Sequence, residues 1–168
     1  MPPALRINAV AFVSASNAPI LVRTFVDGGD DLKYHYLAHT SLDVIEERIA
    51  QPKFNECYLG LLFSMEDVAV YGFMTPLKLK IVVALALTDT VVRDADVVLI
   101  FKAFHTAYMR SISNPFLRVH ASPESSALVD PSPALLTEAN ADARKVTAFK
   151  RRVDDVARSV LGHDNILE

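Results

Sequence analysis

Cysteine is almost absent from this chain: Cys57 is the only one in 168 residues. An intrachain disulfide is therefore excluded, and a reducing, cytosolic setting is the natural expectation. Basic residues show no excess, with a net charge of −3, so nothing argues for a phosphate-backbone binder, which needs a basic stripe or domain. No long hydrophobic run is present. The longest aliphatic stretch is Ile81 to Leu87, far short of the ~20 residues that cross a bilayer. Met1 to Arg6 offers no charged segment leading into an apolar one, so no secretory signal is expected. Glycine is scarce, at positions 28, 29, 60, 72 and 162 only. These cannot form G-x-G-x-x-G or a Walker loop, which leaves a nucleotide site without its phosphate cradle. No G-x-S-x-G elbow occurs, and Ser64 and Ser111 lack local support for nucleophilic chemistry.

What is present is core-forming material, 51% hydrophobic against 22% charged, enough for a single domain over residues 1–168. Ile7 to Ser14 and Ile20 to Phe25 flank the turn Ser16-Asn17-Ala18-Pro19 and read as a hairpin. Asp27-Gly28-Gly29-Asp30 breaks the chain. Leu32 to Ala50 reads as a helix, because Tyr34, Ala38, Leu42, Ile45 and Ile49 share one face and Pro52 lies just beyond. Three strands are expected next. Cys57 to Phe63 is apolar, with Cys57 read as an inert core residue. Val68 to Met74 follows the turn at Ser64–Asp67, and its Gly72 marks a bulge or a close backbone approach. Leu79 to Leu87 suits a central strand covered on both faces.

Asp94 to Ser113 is the clearest helix. Val97, Phe101, Phe104, Tyr108 and Ile112 recur near a 3.6 period, and Asn114-Pro115 ends it. The aromatic stripe reads as core, where losing one ring costs ~3–5 kcal/mol. Residues 117–145 carry Pro123, Pro131 and Pro133, four serines, and, between Arg118 and Asp142, four acids against one base. They read as a flexible insertion. The last helix is expected over 146–161, with Val146, Phe149, Val153, Val156 and Val160 inward and Gly162 as its stop. The order is β-β-α-β-β-β-α-α. Each helix has one apolar stripe, and consecutive short-linked strands pair antiparallel. The expected fold is therefore an α/β three-layer sandwich around a five-stranded, mainly antiparallel sheet, with one helix on one face and two on the other.

His35, His39 and Asp43 lie at i, i+4 and i+8 of the first helix and can face one side. Two histidines at this spacing could serve zinc, but a site needs three or four ligands and no second cluster accompanies them. Glu46 and Glu47 are adjacent, so they do not face each other as an acid/base pair. A docking surface fits this polar face better. Lys150-Arg151-Arg152 could touch anionic lipid, at ~1 kcal/mol per basic residue. Asp154 and Asp155 follow at once, however, and a mixed-charge solvated face is the expectation.

Several segments carry a resemblance. Lys33 to Glu47 resembles the first helix of the sedlin-like subunits of the transport protein particle (TRAPP), a family with the longin fold. Tyr58 to Phe63 resembles its third strand and Asp67 to Thr75 its fourth. Phe101 to Tyr108, ending at Asn114-Pro115-Phe116, resembles the following helix and its stop. The similarity covers residues 5 to 116 and the last helix, and is closest to the sedlin-paralogue branch. Residues 117–145 are longer than the family's connection, and Gln51 to Glu56 is shorter than its counterpart.

The resemblance implies a non-catalytic adaptor in a vesicle-tethering and Rab guanine-nucleotide-exchange complex of ER–Golgi or Golgi traffic. Its partners would be other TRAPP subunits, with the Rab GTPase reached indirectly and the membrane peripherally. No nucleic acid, cofactor or metal is implied. Asp43, in the family-like Ser41-Leu42-Asp43 segment, is the expected partner contact, with His39, His35 and Glu47 on the same helix. The regulatory longin domain of a SNARE and a small clathrin-adaptor subunit share the fold and are the alternatives. The first would call for a sustained heptad segment and a membrane anchor.

Overall fold

The computed structural model describes residues 5–26, 28, 31–52, 56–87, 91–114 and 143–161. Among these described residues five strands and three helices follow in the expected order. They are β1 (Ile7–Val13), β2 (Pro19–Thr24), α1 (Asp31–Ile49), β3 (Tyr58–Met65), β4 (Val68–Met74), β5 (Lys80–Ala86), α2 (Asp94–Ile112) and α3 (Ala143–Leu161). The segment expected to be an insertion, 117–145, lies outside the described residues as far as 142. Its last three residues are the opening of α3, which begins earlier than the valine spacing indicates.

The sheet order is β2-β1-β5-β4-β3, and every neighbouring pair is antiparallel. The β1–β2 hairpin and the β3–β4–β5 meander are the local pairings that short loops impose. They are joined by β1 against β5, where Val10 lies opposite Val83 and Phe12 opposite Ile81. β5 is thereby the central strand, which explains its unbroken apolar run: covered on both faces, it has no solvent side to make polar.

One layer packs on each face. On one side, Phe12, Ile81 and Val83 meet Val97, Phe101 and Phe104 of α2 and Phe149 and Val153 of α3. Phe12 lies at the aromatic centre, with ring centroids 5.1 Å from Phe149 and 6.2 Å from Phe104. On the other side Tyr34, Leu37, Ala38 and Ile45 of α1 cover Ala9, Ala11, Val70, Val82 and Ala84. The small alanines let α1 lie close to the sheet. The chain therefore has the longin-like arrangement, with one helix on one face and two on the other.

Local chemistry explains the remaining details. The β3–β4 turn is Glu66-Asp67, two residues shorter than Ser64–Asp67, because β3 continues to Met65 opposite Val68. Glu66 takes φ 52° to close it, a conformation hairpin turns require. Gly72 is a close approach: a Cβ there would lie 2.9 Å from Leu62 Cδ1 and 3.2 Å from Leu59 Cδ1. In the β3–β4 pairing the irregularities lie in β3, between Tyr58 and Gly60 and between Leu61 and Phe63. Arg48 of α1 donates to the carbonyls of Leu59 and Leu61 in that stretch. The guanidinium thus satisfies acceptors that a distorted edge strand exposes.

Cys57 departs from its expected place. It is exposed and precedes β3 instead of opening its buried run. Its carbonyl accepts from the Met74 N–H at 2.8 Å, so its backbone is used while its thiol faces outward.

Candidate functional site

Helix α1 is held by its inner face, and that fixes what it presents outward. Tyr34, Leu37, Ala38, Leu42 and Ile45 are buried, leaving His35, His39, Asp43 and Glu47 exposed on the other side. All four expected site residues are therefore at the surface of one helix. They do not form a straight line. Each step of four residues turns ~40° past a full turn, so the series winds from one flank of the helix to the other. His35 and His39 face the β2 side. With Val13, Pro19, Val22 and Leu42 they border a hollow of about 10 Å³, room for one water and no more. Asp43 stands near the crest, and Glu47 lies beyond it.

Two residues that sequence reasoning left out complete this surface. Leu32 is 74% exposed and Tyr36 63% exposed, and they sit one turn apart at the amino-terminal end of α1. The outer face therefore carries an apolar end at Leu32 and Tyr36 and an acidic end at Asp43, Glu46 and Glu47. The available signal was that Leu32 and Tyr36 fall off the stripe defined by Tyr34, Ala38 and Leu42.

Electrostatics separates the acids. Glu46 Oε1 accepts from Asn17 Nδ2 at 2.5 Å, and Asn17 Oδ1 accepts from Lys80 Nζ. This chain ties α1 to the β1–β2 turn and to the central strand. Lys80 is buried, and that burial pushes its pKa down, with Glu46 opposing and Lys78 reinforcing the shift. At the other end Lys33 contacts Glu66 at 2.9 Å and Asp67 at 3.7 Å. The hydrogen bond that Lys33 donates to the Glu66 carboxylate raises the Lys33 pKa. Asp43 and Glu47 have no hydrogen-bond or ion-pair partner among the described residues. They are the carboxylates left available to another molecule.

The arrangement suits recognition more than catalysis. Among the described residues no group of three or more His, Cys, Asp or Glu could hold a metal ion. Ser111 is buried, donates to the Ala107 carbonyl and accepts from Arg152, so it links α2 to α3 and faces no cleft as a nucleophile. The basic run Lys150-Arg151-Arg152 is split around α3. Arg152 reaches Ser111 at 3.0 Å. The acids expected to cancel that run are engaged elsewhere: Asp154 pairs bidentately with Arg23 of β2 at 2.8 and 3.1 Å, and Asp155 pairs with Arg158 at 3.6 Å.

Comparison with known proteins gives the surface a context. Residues 12–136 match the family model described as Sedlin. Proteins named trafficking protein particle complex subunit 2-like protein are similar across most of their length. The one from Bos taurus is 38% identical over 112 residues, which is 64% of this chain and 80% of that protein. The one from Taeniopygia guttata is 36% identical over 121 residues, covering 67% of this chain and 86% of that protein. The one from Dictyostelium discoideum is 36% identical over 125 residues, covering 71% and 89%.

Proposed function

The chain belongs to the sedlin family, and from that premise we propose that it is a non-catalytic subunit of a TRAPP-type vesicle-tethering complex. The observation that carries this reading is the similarity to TRAPP subunit 2-like proteins over 80–89% of their length. In this reading the chain is an adaptor. It binds other subunits, serves a Rab GTPase only through the assembly, and meets ER–Golgi or Golgi membranes peripherally from the cytoplasmic side. No helix among the described residues is long and apolar enough to cross a membrane, consistent with attachment through partners.

The contact surface in this proposal is the outer face of α1. Leu32 and Tyr36 supply an apolar anchor. Asp43, with His39, His35 and Glu47 around it, supplies charge and hydrogen bonds that set orientation. Interfaces combine these parts: exposed aromatic and aliphatic side chains carry affinity, and charged groups beside them select the partner. A partner presenting Arg or Lys opposite Asp43 would form a pair that loses about tenfold or more in affinity when one side is reversed.

The test is affinity purification of the tagged protein from its own cells, comparing wild type with Asp43→Arg. Recovery of TRAPP subunits with wild type, and a loss of about tenfold or more with Asp43→Arg at unchanged melting temperature, is the expected result. Recovery of no TRAPP subunit by the wild-type protein would overturn the functional reading. Equal recovery by both proteins would move the contact away from α1.

A further inference from the structure

We propose that the groove between α2 and α3 is a second docking site, and that it takes an acidic amphipathic helix of a partner protein. This surface lies on the opposite side of the sheet from α1 and does not depend on the function proposed for that face.

The groove has about 350 Å³ of open space, against about 10 Å³ for the hollow beside α1. Its floor is Ala103 and Ala107 of α2 and Val156 of α3, and its rim is Arg110, Arg152 and Asp155. A small-residue floor between two helices leaves a furrow where a third helix can come close enough to pack, at the ~8–10 Å spacing of helix pairs. An extended strand finds no sheet edge here, whereas a helix can seat one apolar side chain on the alanines.

Charge decides the partner. Among the described residues Asp155 is the only acid on the rim, and Arg158 holds it at 3.6 Å. Asp154, the neighbouring acid, is turned toward β2 and occupied by Arg23. Arg152 gives one N–H to Ser111, and a guanidinium has further donors to offer. Arg110 is exposed and has no hydrogen-bond or ion-pair partner among the described residues. Lys102 and Arg151 are exposed nearby on the same two helices. The hydroxyls lining the groove do not compete for an anion. Thr106 donates to the Lys102 carbonyl at 2.8 Å and Ser159 to the Asp155 carbonyl at 2.7 Å. An apolar floor beside two guanidiniums with donors to spare matches a helix carrying a Leu or Phe and, one turn away, a carboxylate that Arg can grip in its forked geometry. A lipid headgroup would satisfy the arginines and leave the floor unused.

The test is a display selection of a helical-peptide library against the full chain, followed by fluorescence anisotropy with the most enriched peptide. The enriched sequences should pair Leu or Phe with Asp or Glu at three- or four-residue spacing. Binding should fall about tenfold or more with Arg110→Glu, and likewise with Ala103→Trp, which fills the floor from a half-exposed position. Melting temperatures of both variants should match wild type. Enrichment of basic or uncharged peptides, or binding indifferent to Ala103→Trp, overturns the proposal. So does Arg110-dependent binding to phosphatidylserine vesicles in the absence of acidic-peptide enrichment, which would make this a membrane face. A rise of about tenfold in peptide affinity on removing residues 121–139 would assign the groove to the chain's own segment, and the partner assignment would fall.

Discussion

Two residues show how much single positions cost this fold. Gly72 stands where β4 passes beneath Leu59 and Leu62, and an added Cβ would press to 2.9 Å against Leu62. Gly72→Ala is expected to destabilise by about 1–3 kcal/mol, the range for overpacking a tight site. Urea denaturation measures it, and a change below the error of the midpoint would show that Leu62 moves aside freely. Lys78 makes the opposite case. It closes the β4–β5 turn at φ 62°, where its N–H donates to the Thr75 carbonyl at 2.8 Å. A left-handed L-residue costs ~1–2 kcal/mol, while glycine gives back ~0.5–1 kcal/mol of that through its freer unfolded chain. Lys78→Gly should therefore raise stability by a few tenths to about 1 kcal/mol. It also removes a like charge that helps depress the Lys80 pKa.

At the scale of elements, the joint between β3 and α2 has a titration signature. Tyr58 donates to Asp94 Oδ1 at 2.9 Å, and its ring lies tilted against Phe101 at a centroid distance of 6.2 Å. Burial first, then the Asp94 hydrogen bond and charge, push the Tyr58 phenol well above its usual value of 10.0. Burial pushes Tyr71 upward too. Above pH 10 the unfolded chain releases these protons while the folded chain keeps them. The stability they confer is thus full below pH 10 and lost as pH climbs through the raised folded values. Lys33 shifts in the same direction, whereas Lys80, lowered by burial, contributes in the opposite sense as pH approaches 10.5. Stability by urea titration should therefore fall as pH rises above ~10, and less steeply in Tyr58→Phe. Parallel profiles for the two proteins would show that Tyr58 is not the group responsible.

The elements also mark where sequence reading succeeds and where it stops. Periodicity located α1 and α2 to within a residue or two because their inner faces are continuous: Val97, Phe101, Phe104 and Tyr108 are all buried. The apolar run ending in Leu87 identified β5 as central for the same reason. The β1–β5 pairing could be inferred only from the family likeness, since no local signal joins strands some seventy residues apart. Lys80 inside the central strand has no sequence signal, because its partner, Asn17, is distant along the chain. Cys57 continues the apolar run in sequence, yet β3 starts only at Tyr58 and leaves it exposed. On α1 the exposure of His35, His39, Asp43 and Glu47 follows from the helix period, but the apolar end at Leu32 and Tyr36 needed the packed structure. On α3, Asp154 and Asp155 look like counter-charges to Lys150-Arg151-Arg152 along the chain. A helix sends adjacent residues to different sides, so they serve Arg23 and Arg158 instead.

Taken as a whole molecule, the sheet separates two surfaces of opposite charge. The α1 face ends in Asp43, Glu46 and Glu47, and the α2–α3 face carries Lys102, Arg110, Arg151 and Arg152. Between them lie the two apolar cores, which share no helix. Sites separated by a rigid sheet with no common partners act additively. Asp43→Arg should therefore weaken capture of TRAPP subunits while leaving acidic-peptide affinity within about twofold, and Arg110→Glu should do the reverse. In the double variant each loss should equal that of its single variant. The check is to run both assays on all four proteins at one ionic strength, because surface charges separated by more than ~8–10 Å are largely screened at physiological salt. If Asp43→Arg also weakens the peptide, the two faces communicate through the sheet, and the chain transmits binding from one side to the other. If neither variant crosses over, it joins two partners while keeping their binding independent, which is what an adaptor requires.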